Sequence, residues 1–213
     1  MRVLVACEES QAVTIELRKL GHEAYSCDVQ ECSGGHPEWH LQQDVLPLLS
    51  EKWDMIIAHP PCTYLTAAGA IRLFNPDHTI KDQARFEKGL QAAEFFQKIW
   101  GGQCKRIAIE NPVPMKCFGL PPYSQIIEPY MFGDPWRKRT CLWLKGLPPL
   151  VAMQEAPVEP LGLWVGSTSA NRDPTIYKRY ELHSNRDPKR RSKTFQGIAR
   201  AMALQWAGRN KEE

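Results

Sequence analysis

Cys62 lies in the stretch Asp54 to Thr66, where an apolar run, Met55 to Ala58, meets His59 and a Pro60-Pro61 pair. Such a run reads as a buried strand, and the prolines stiffen the turn that presents the thiol. Arg106 to Pro112 repeats the design, with a short apolar strand ending at Glu110, followed by Asn111 and Pro112. A thiol and a carboxyl at the tips of two strands can face one substrate, the first as nucleophile and the second as proton holder. At neutral pH only a few per cent of an ordinary thiol is ionised, so Cys62 needs positive charge nearby or help from the substrate. A carboxyl used as an acid, as Glu110 could be, is favoured by a raised pKa in a dry pocket. The competing reading of Cys62 is a buried, inert thiol.

The elements that would position this pair follow a regular order. Arg2 to Ala6 reads as a first strand, and Gln11 to Leu20 as a helix that Gly21 stops. Glu23 to Cys27 is a second strand with Asp28 at its tip, and His40 to Val45 a third that ends at Asp44. A β-α-β start of this kind implies a parallel sheet, whose ligands bind at the carboxyl ends of the strands. The first turn, Cys7 to Gln11, has no glycine and carries Glu8 and Glu9, which would repel a pyrophosphate. A cofactor here should therefore lack phosphates. Asp28 suits a ribose hydroxyl, although a solvated turn residue explains an acid there equally well.

Cys27, Cys32, His36 and His40 are all ligand types, but their spacing fits none of the common zinc patterns. Ser33, Gly34, Gly35 and Pro37 are turn residues, so no metal is expected. After Cys62 the residues to Pro76 read as loop, and Thr79 to Trp100 as the longest helix, stopped by Gly101 and Gly102. Gln125 to Glu128 and Cys141 to Leu144 complete the strands. Arg137 and Arg139 alternate on a strand-like segment and would point one way, toward an anionic or carbonyl-bearing substrate or simply toward solvent. Gly146 to about Ser192 is irregular and contains Asn-Arg-Asp-Pro twice, and Thr194 to Ala207 closes the chain as a helix. The expected fold is α/β, a Rossmann-like, doubly wound, mostly parallel sheet. Its catalytic domain takes residues 1–145 and 194–213, with 146–193 a short irregular insertion.

The chain has 213 residues, 43% of them hydrophobic and 24% charged, enough for one domain with a real core. Its net charge of +3 rules out a polycation, yet Arg186, Lys189, Arg190, Arg191 and Lys193 form a basic block. Such a block is either a solvated face or a phosphate grip. Seven cysteines, no signal peptide and no apolar run of membrane-spanning length point to a reduced, cytoplasmic protein, expected to act as a monomer.

Taken in order, Pro60-Pro61-Cys62, Glu110-Asn111-Pro112 and Arg137-Lys138-Arg139, each at a strand end and followed by a terminal helix, resemble the cytosine-C5 methyltransferase family. The resemblance covers most of residues 1–145 and returns at 194–207. It implies the class I methyltransferase fold, S-adenosylmethionine as a phosphate-free cofactor, and DNA as the partner, in a bacterial or phage restriction-modification setting. Cys62 matches the nucleophile that adds to C6 of the pyrimidine, and Glu110 the acid on the ring N3 and amino edge. Arg137 and Arg139 match a basic pair that holds the base carbonyl and the cysteine loop. Ala6, Cys7, Glu8, Ser10, Asp28, Asp44 and Pro60 stand where the family binds the cofactor, and Asn111 and the basic block where this chain would meet DNA. Three departures stand out: the first motif lacks glycines, Pro135 replaces the glutamine before the arginines, and the interval that holds the family's sequence-reading domain is short. The last keeps open C5 methylation of a free pyrimidine nucleotide such as dCMP, and the first a non-catalytic, nucleic-acid-binding relative.

Overall fold

The computed structural model describes residues 1–153 and 192–208. Seven strands form one sheet in the order β3-β2-β1-β4-β5-β7-β6. They are β1 (Arg2–Ala6), β2 (Glu23–Asp28), β3 (His40–Gln42), β4 (Met55–Ala58), β5 (Ile107–Pro112), β6 (Gln125–Ile127) and β7 (Thr140–Lys145). From β3 across to β5 all neighbours are parallel; β7 alone is reversed, antiparallel to both β5 and β6. This order with its one reversed strand makes a doubly wound, mostly parallel sheet, as the β-α-β start of the sequence led us to expect.

Both faces of the sheet are covered, which explains the unbroken apolar runs of its central strands. Alternate residues of each strand go to opposite sides. Val3, Val5, Met55 and Ile57 pack with α1 (Ala12–Lys19) and with Ile198, Met202 and Trp206 of the terminal helix, labelled α4 here (Gln196–Trp206). Leu4, Ile56, Ile107 and Ile109 pack on the other face with Phe96 and Ile99 of α3 (Gln83–Trp100). Burying a Leu, Ile or Phe side chain contributes about 1.5–3 kcal/mol, so both layers are needed to hold the strand tips in place.

Several boundaries differ from the sequence reading for local reasons. The long helix begins at Gln83, not Thr79, because Asp82 caps it by accepting from the Arg85 amide at 2.9 Å. Thr79 is instead held in a turn by Asp77, and Ile80 bridges Phe74. The stretch after Cys62 is not all loop: a short helix α2 (Ala70–Leu73) buries Leu73 beneath it. β3 stops at Gln42, so Asp44 lies in the following turn, where it accepts from the Leu46 amide. β7 starts only at Thr140, so strand alternation does not apply to Arg137 and Arg139. Among the described residues no helix is long and apolar enough to cross a membrane.

Candidate active site

Strand order reverses between β1 and β4: β1 leads outward to β2, and β4 leads the other way to β5. A reversal of this kind opens a crevice at the carboxyl ends of the two strands, where α/β sheets place ligands. The turn after β1 and the cysteine loop after β4 border it, and the His59 amide donates to the Ala6 carbonyl at 2.9 Å across the gap.

On the β1 side the turn is built without glycine. Cys7 and Gln11 both adopt left-handed backbone, at φ 58°, which costs a side-chain-bearing residue about 1–2 kcal/mol. Side-chain hydrogen bonds hold the turn in that state. Glu8 is buried, and its carboxyl accepts from the Val13 amide at 2.7 Å, the Thr14 amide at 3.3 Å and the Thr14 hydroxyl at 2.7 Å. It thereby caps α1 from outside the helix. Those amides at a helix N-terminus are what dinucleotide folds offer to a pyrophosphate. Gln11, fully buried, donates through Nε2 to Ser26 Oγ and the His36 carbonyl and accepts from the His36 amide. Gly34 packs directly on it: a Cβ there would lie 2.5 Å from Gln11 Cβ.

Cys7, Asp28 and Asp44, read as cofactor residues, come together at the tips of β1, β2 and β3. Burial pushes the Cys7 thiol far up, and Asp28, Cys27 and Asp44 lie close enough to push it further. Cys27 behind it is raised to about 11 by burial. Asp28 is half-buried and accepts from the Gln30 amide through Oδ1. Ala6 is buried at the end of β1, Ser10 is half-buried in the turn, and the Pro60 carbonyl accepts from Asn111. Carboxylates beside thiols suit a ligand with hydroxyl and amino donors, and Glu8 already fills the place of a phosphate. All seven cysteines are thiols, and among the described residues no group of His, Cys, Asp or Glu is arranged to hold a metal.

On the β4 side two loops lock together. Asn111, beside Glu110, donates through Nδ2 to the Pro60 carbonyl at 3.1 Å. The Met115 amide donates to the Leu65 carbonyl and the Ala67 amide to the Val113 carbonyl. Thr66 also bridges Pro114. The half-buried Cys62 therefore sits in a loop fastened at both ends to the chain that follows Glu110. Arg85 Nη2 donates to the Thr63 carbonyl at 2.8 Å and lies over the Tyr64 ring. Between this loop and α3 an open groove of about 440 Å³ is lined by Pro61, Tyr64, Lys88, Gln91, Ala92 and Phe95.

His59 is a site residue that the sequence reading passed over. Its Nδ1 lies 2.9 Å from Glu110 Oε2, and the two side chains are only 10% and 11% exposed. Burial alone would raise Glu110, but the His59 hydrogen bond and the charges of Lys138 and His59 outweigh it and hold the carboxyl below its ordinary value. The raised pKa expected from a dry pocket is thus reversed by a partner 51 residues away. For His59, burial pulls the imidazole down, but Glu110 and then Glu8 overcome this and hold it above its usual value. Glu8 itself is raised by burial in spite of His59, Val13 and Thr14.

Lys138, between the two arginines of the sequence reading, is the cation that acts on Glu110 and His59. Arg137 is half-buried beside the Tyr130 ring, and Arg139 is exposed, 3.9 Å from Glu128. Lys193 donates to Ser33 Oγ at 2.9 Å, which in turn donates to Glu9 at the rim of the β1 turn. Arg186, Lys189, Arg190 and Arg191, with most of the insertion, lie outside the described residues.

No protein-family model matches the sequence, and no curated protein does. Solved structures do. A prophage-encoded E. coli protein, described as a DNA modification methyltransferase, matches with a TM-score of 0.45 at 12% identity, over 74% of this chain and 52% of that one. The S. pombe Dnmt2 methyltransferase matches with a TM-score of 0.43 at 12% identity, over 70% and 51%. A triply substituted DNMT2 of Spodoptera frugiperda matches with a TM-score of 0.37 at 13% identity, over 74% and 56%. The chain spans about half the length of these solved structures.

Proposed function

We propose that the chain is an S-adenosylmethionine-dependent methyltransferase that acts on C5 of cytosine in DNA through a covalent bond from Cys62 to C6. The observation that carries this reading is the clasp from Asn111 to the Pro60 carbonyl, which fixes the Cys62 loop against the strand that bears Glu110. C5 of cytosine is a poor nucleophile until a soft anion adds at C6. As the S–C6 bond forms, the C5=C6 pair moves to C4–C5 and the C4=N3 pair ends on N3, which takes a proton. Cys62 supplies the sulfur, and Glu110 holds the proton and the N3 edge. Bound S-adenosylmethionine supplies an electrophilic methyl group; Asp28 and Asp44 would hold its hydroxyl and amino groups, with Ala6, Cys7, Ser10 and Pro60 lining its place. Arg137 serves the base carbonyl, with Arg139 outside it, and Lys138 offsets the negative charge of the adduct. Extruding a base costs a few kcal/mol, which contacts from Arg186, Lys189, Arg190, Arg191 and Lys193 to phosphates would offset.

The short interval between β7 and α4 favours a second reading, the same chemistry on a free pyrimidine nucleotide. Labelled S-adenosylmethionine offered with duplex DNA, single-stranded DNA and dCMP separates the two. Label in DNA that is lost in Cys62→Ala supports the first reading. Label in dCMP alone would replace it with the second, and transfer to none of the three would remove both.

A further inference from the structure

We propose that His59 is the positioning residue behind Glu110, holding its carboxyl by an Nδ1–H bond and resupplying the proton that Glu110 gives to the pyrimidine. The inference rests on the methyltransferase reading for its substrate, but the pair itself does not. Its basis is geometric. With a carboxyl oxygen 2.9 Å away, His59 Nδ1 carries the hydrogen and donates it to Oε2. The opposite nitrogen, Nε2, is buried and has no hydrogen-bond partner among the described residues. A buried polar atom left in that state is costly for a purely structural side chain.

The surroundings of the ring favour a positive charge on it. Glu110 faces it from β5, and Glu8 acts on it from the turn after β1. The Thr194 hydroxyl, just before α4, lies 3.4 Å from Nδ1. Lys138 is the opposing cation, and it acts on both members of the pair. In the resting site the pair then carries one proton, held on the imidazole beside an ionised carboxylate. Elements from four separate parts of the chain enclose it, so solvent has little access to either partner.

This arrangement answers the difficulty that a carboxyl held below its ordinary range is a poor acid. As the S–C6 bond forms and electron density arrives on N3, Glu110 passes one proton to N3 and takes one from His59 Nδ1. The imidazolium ends as neutral imidazole, Glu110 ends as carboxylate, and N3 gains one proton. When the adduct collapses and the C6–S bond breaks, N3 gives its proton back to Glu110, which returns it to Nδ1 and restores the imidazolium beside an ionised carboxylate.

Two measurements test this together. In protein labelled with nitrogen-15 in histidine, the His59 signal is followed through pH in the wild type and in Glu110→Gln. We expect the wild-type ring to titrate above pH 6.5, an ordinary histidine value, and to fall by about one unit or more in Glu110→Gln. Equal midpoints in the two proteins would overturn the pairing. The second measurement is the rate profile of methyl transfer for His59→Asn, whose amide keeps a donor toward Glu110 but cannot titrate. The expected result is a fall in kcat of about a hundredfold, the scale of one acid–base group, with little change in KM. The decline of rate at high pH should disappear with it. A His59→Asn enzyme with the wild-type profile would overturn the relay. Wild-type protein that transfers no methyl group would sink the methyltransferase reading, and the relay with it, while the titration would still decide the pair.

Discussion

The two sides of the crevice are built on opposite plans. At the tip of β1, Glu8 and Gln11 are buried side chains whose hydrogen bonds go to neighbouring backbone and hydroxyl groups, three for each. They hold a turn that has no glycine in a left-handed conformation, and they close a helix N-terminus to phosphate. At the tips of β4 and β5, His59 and Asn111 each make one firm bond and leave a buried atom, Nε2 and Oδ1, without a partner among the described residues. Groups satisfied from within make a rigid wall. Groups left open beside a thiol and a carboxyl make a place for something else to bind.

Substitutions can break that contrast, and the largest effect is expected on the open side. Glu110→Gln keeps the shape but cannot hold and release a proton, so methyl transfer should fall about 10²- to 10⁴-fold. An unchanged kcat would remove Glu110 from the chemistry. On the closed side, Glu8→Ala leaves buried amides at the start of α1 unsatisfied and should destabilise the fold by about 2–3 kcal/mol, read by urea unfolding.

Glu8→Gln sharpens the same point through pH. The folded protein holds the Glu8 proton more tightly than the unfolded chain does. Its stabilising share is therefore present below the ordinary glutamate pKa and is lost as pH rises through the folded value. The stability of Glu8→Gln relative to wild type should thus improve as pH rises above the ordinary glutamate value, and a constant difference would contradict the assignment. Asn111→Ala unfastens the cysteine loop at a cost of about 1–2 kcal/mol, and protease cleavage between Cys62 and Ala68 should quicken. Smallest of all, Asp28→Asn should weaken S-adenosylmethionine binding by about tenfold or less, one hydrogen bond to a charged group, measured by calorimetry.

Much of the sheet was legible because its signals are local. Met55 to Ala58 and Ile107 to Ile109 are apolar throughout since both faces are covered, and Gly21 and Gly101 mark helix ends. Cys62 could be placed just past a strand for the same reason, whereas the strand expected to end at Glu110 runs on to Pro112, paired with β7. The part His59 plays could not be read: beside two prolines it looks like an ordinary loop residue, and its meaning comes from a carboxyl on another strand. Glu8 could be read only as an acid in the first turn, because the sequence does not show that its carboxyl turns back onto α1. Asp82 did carry a signal for the helix start, an acid three residues before Arg85, which the apolar spacing from Thr79 obscured. Strand alternation does not reach Arg137 and Arg139, because Pro135 and the turn before it delay β7 to Thr140.

The most direct test of the central claim is the identity of the methylated product. Cytosine-containing duplex DNA incubated with the protein and S-adenosylmethionine is digested to nucleosides and analysed by mass spectrometry, beside a reaction with Cys62→Ala. We expect 5-methylcytosine from the wild-type protein and none from the variant. A methyl group on an exocyclic nitrogen, or 5-methylcytosine from Cys62→Ala at the wild-type rate, would contradict it.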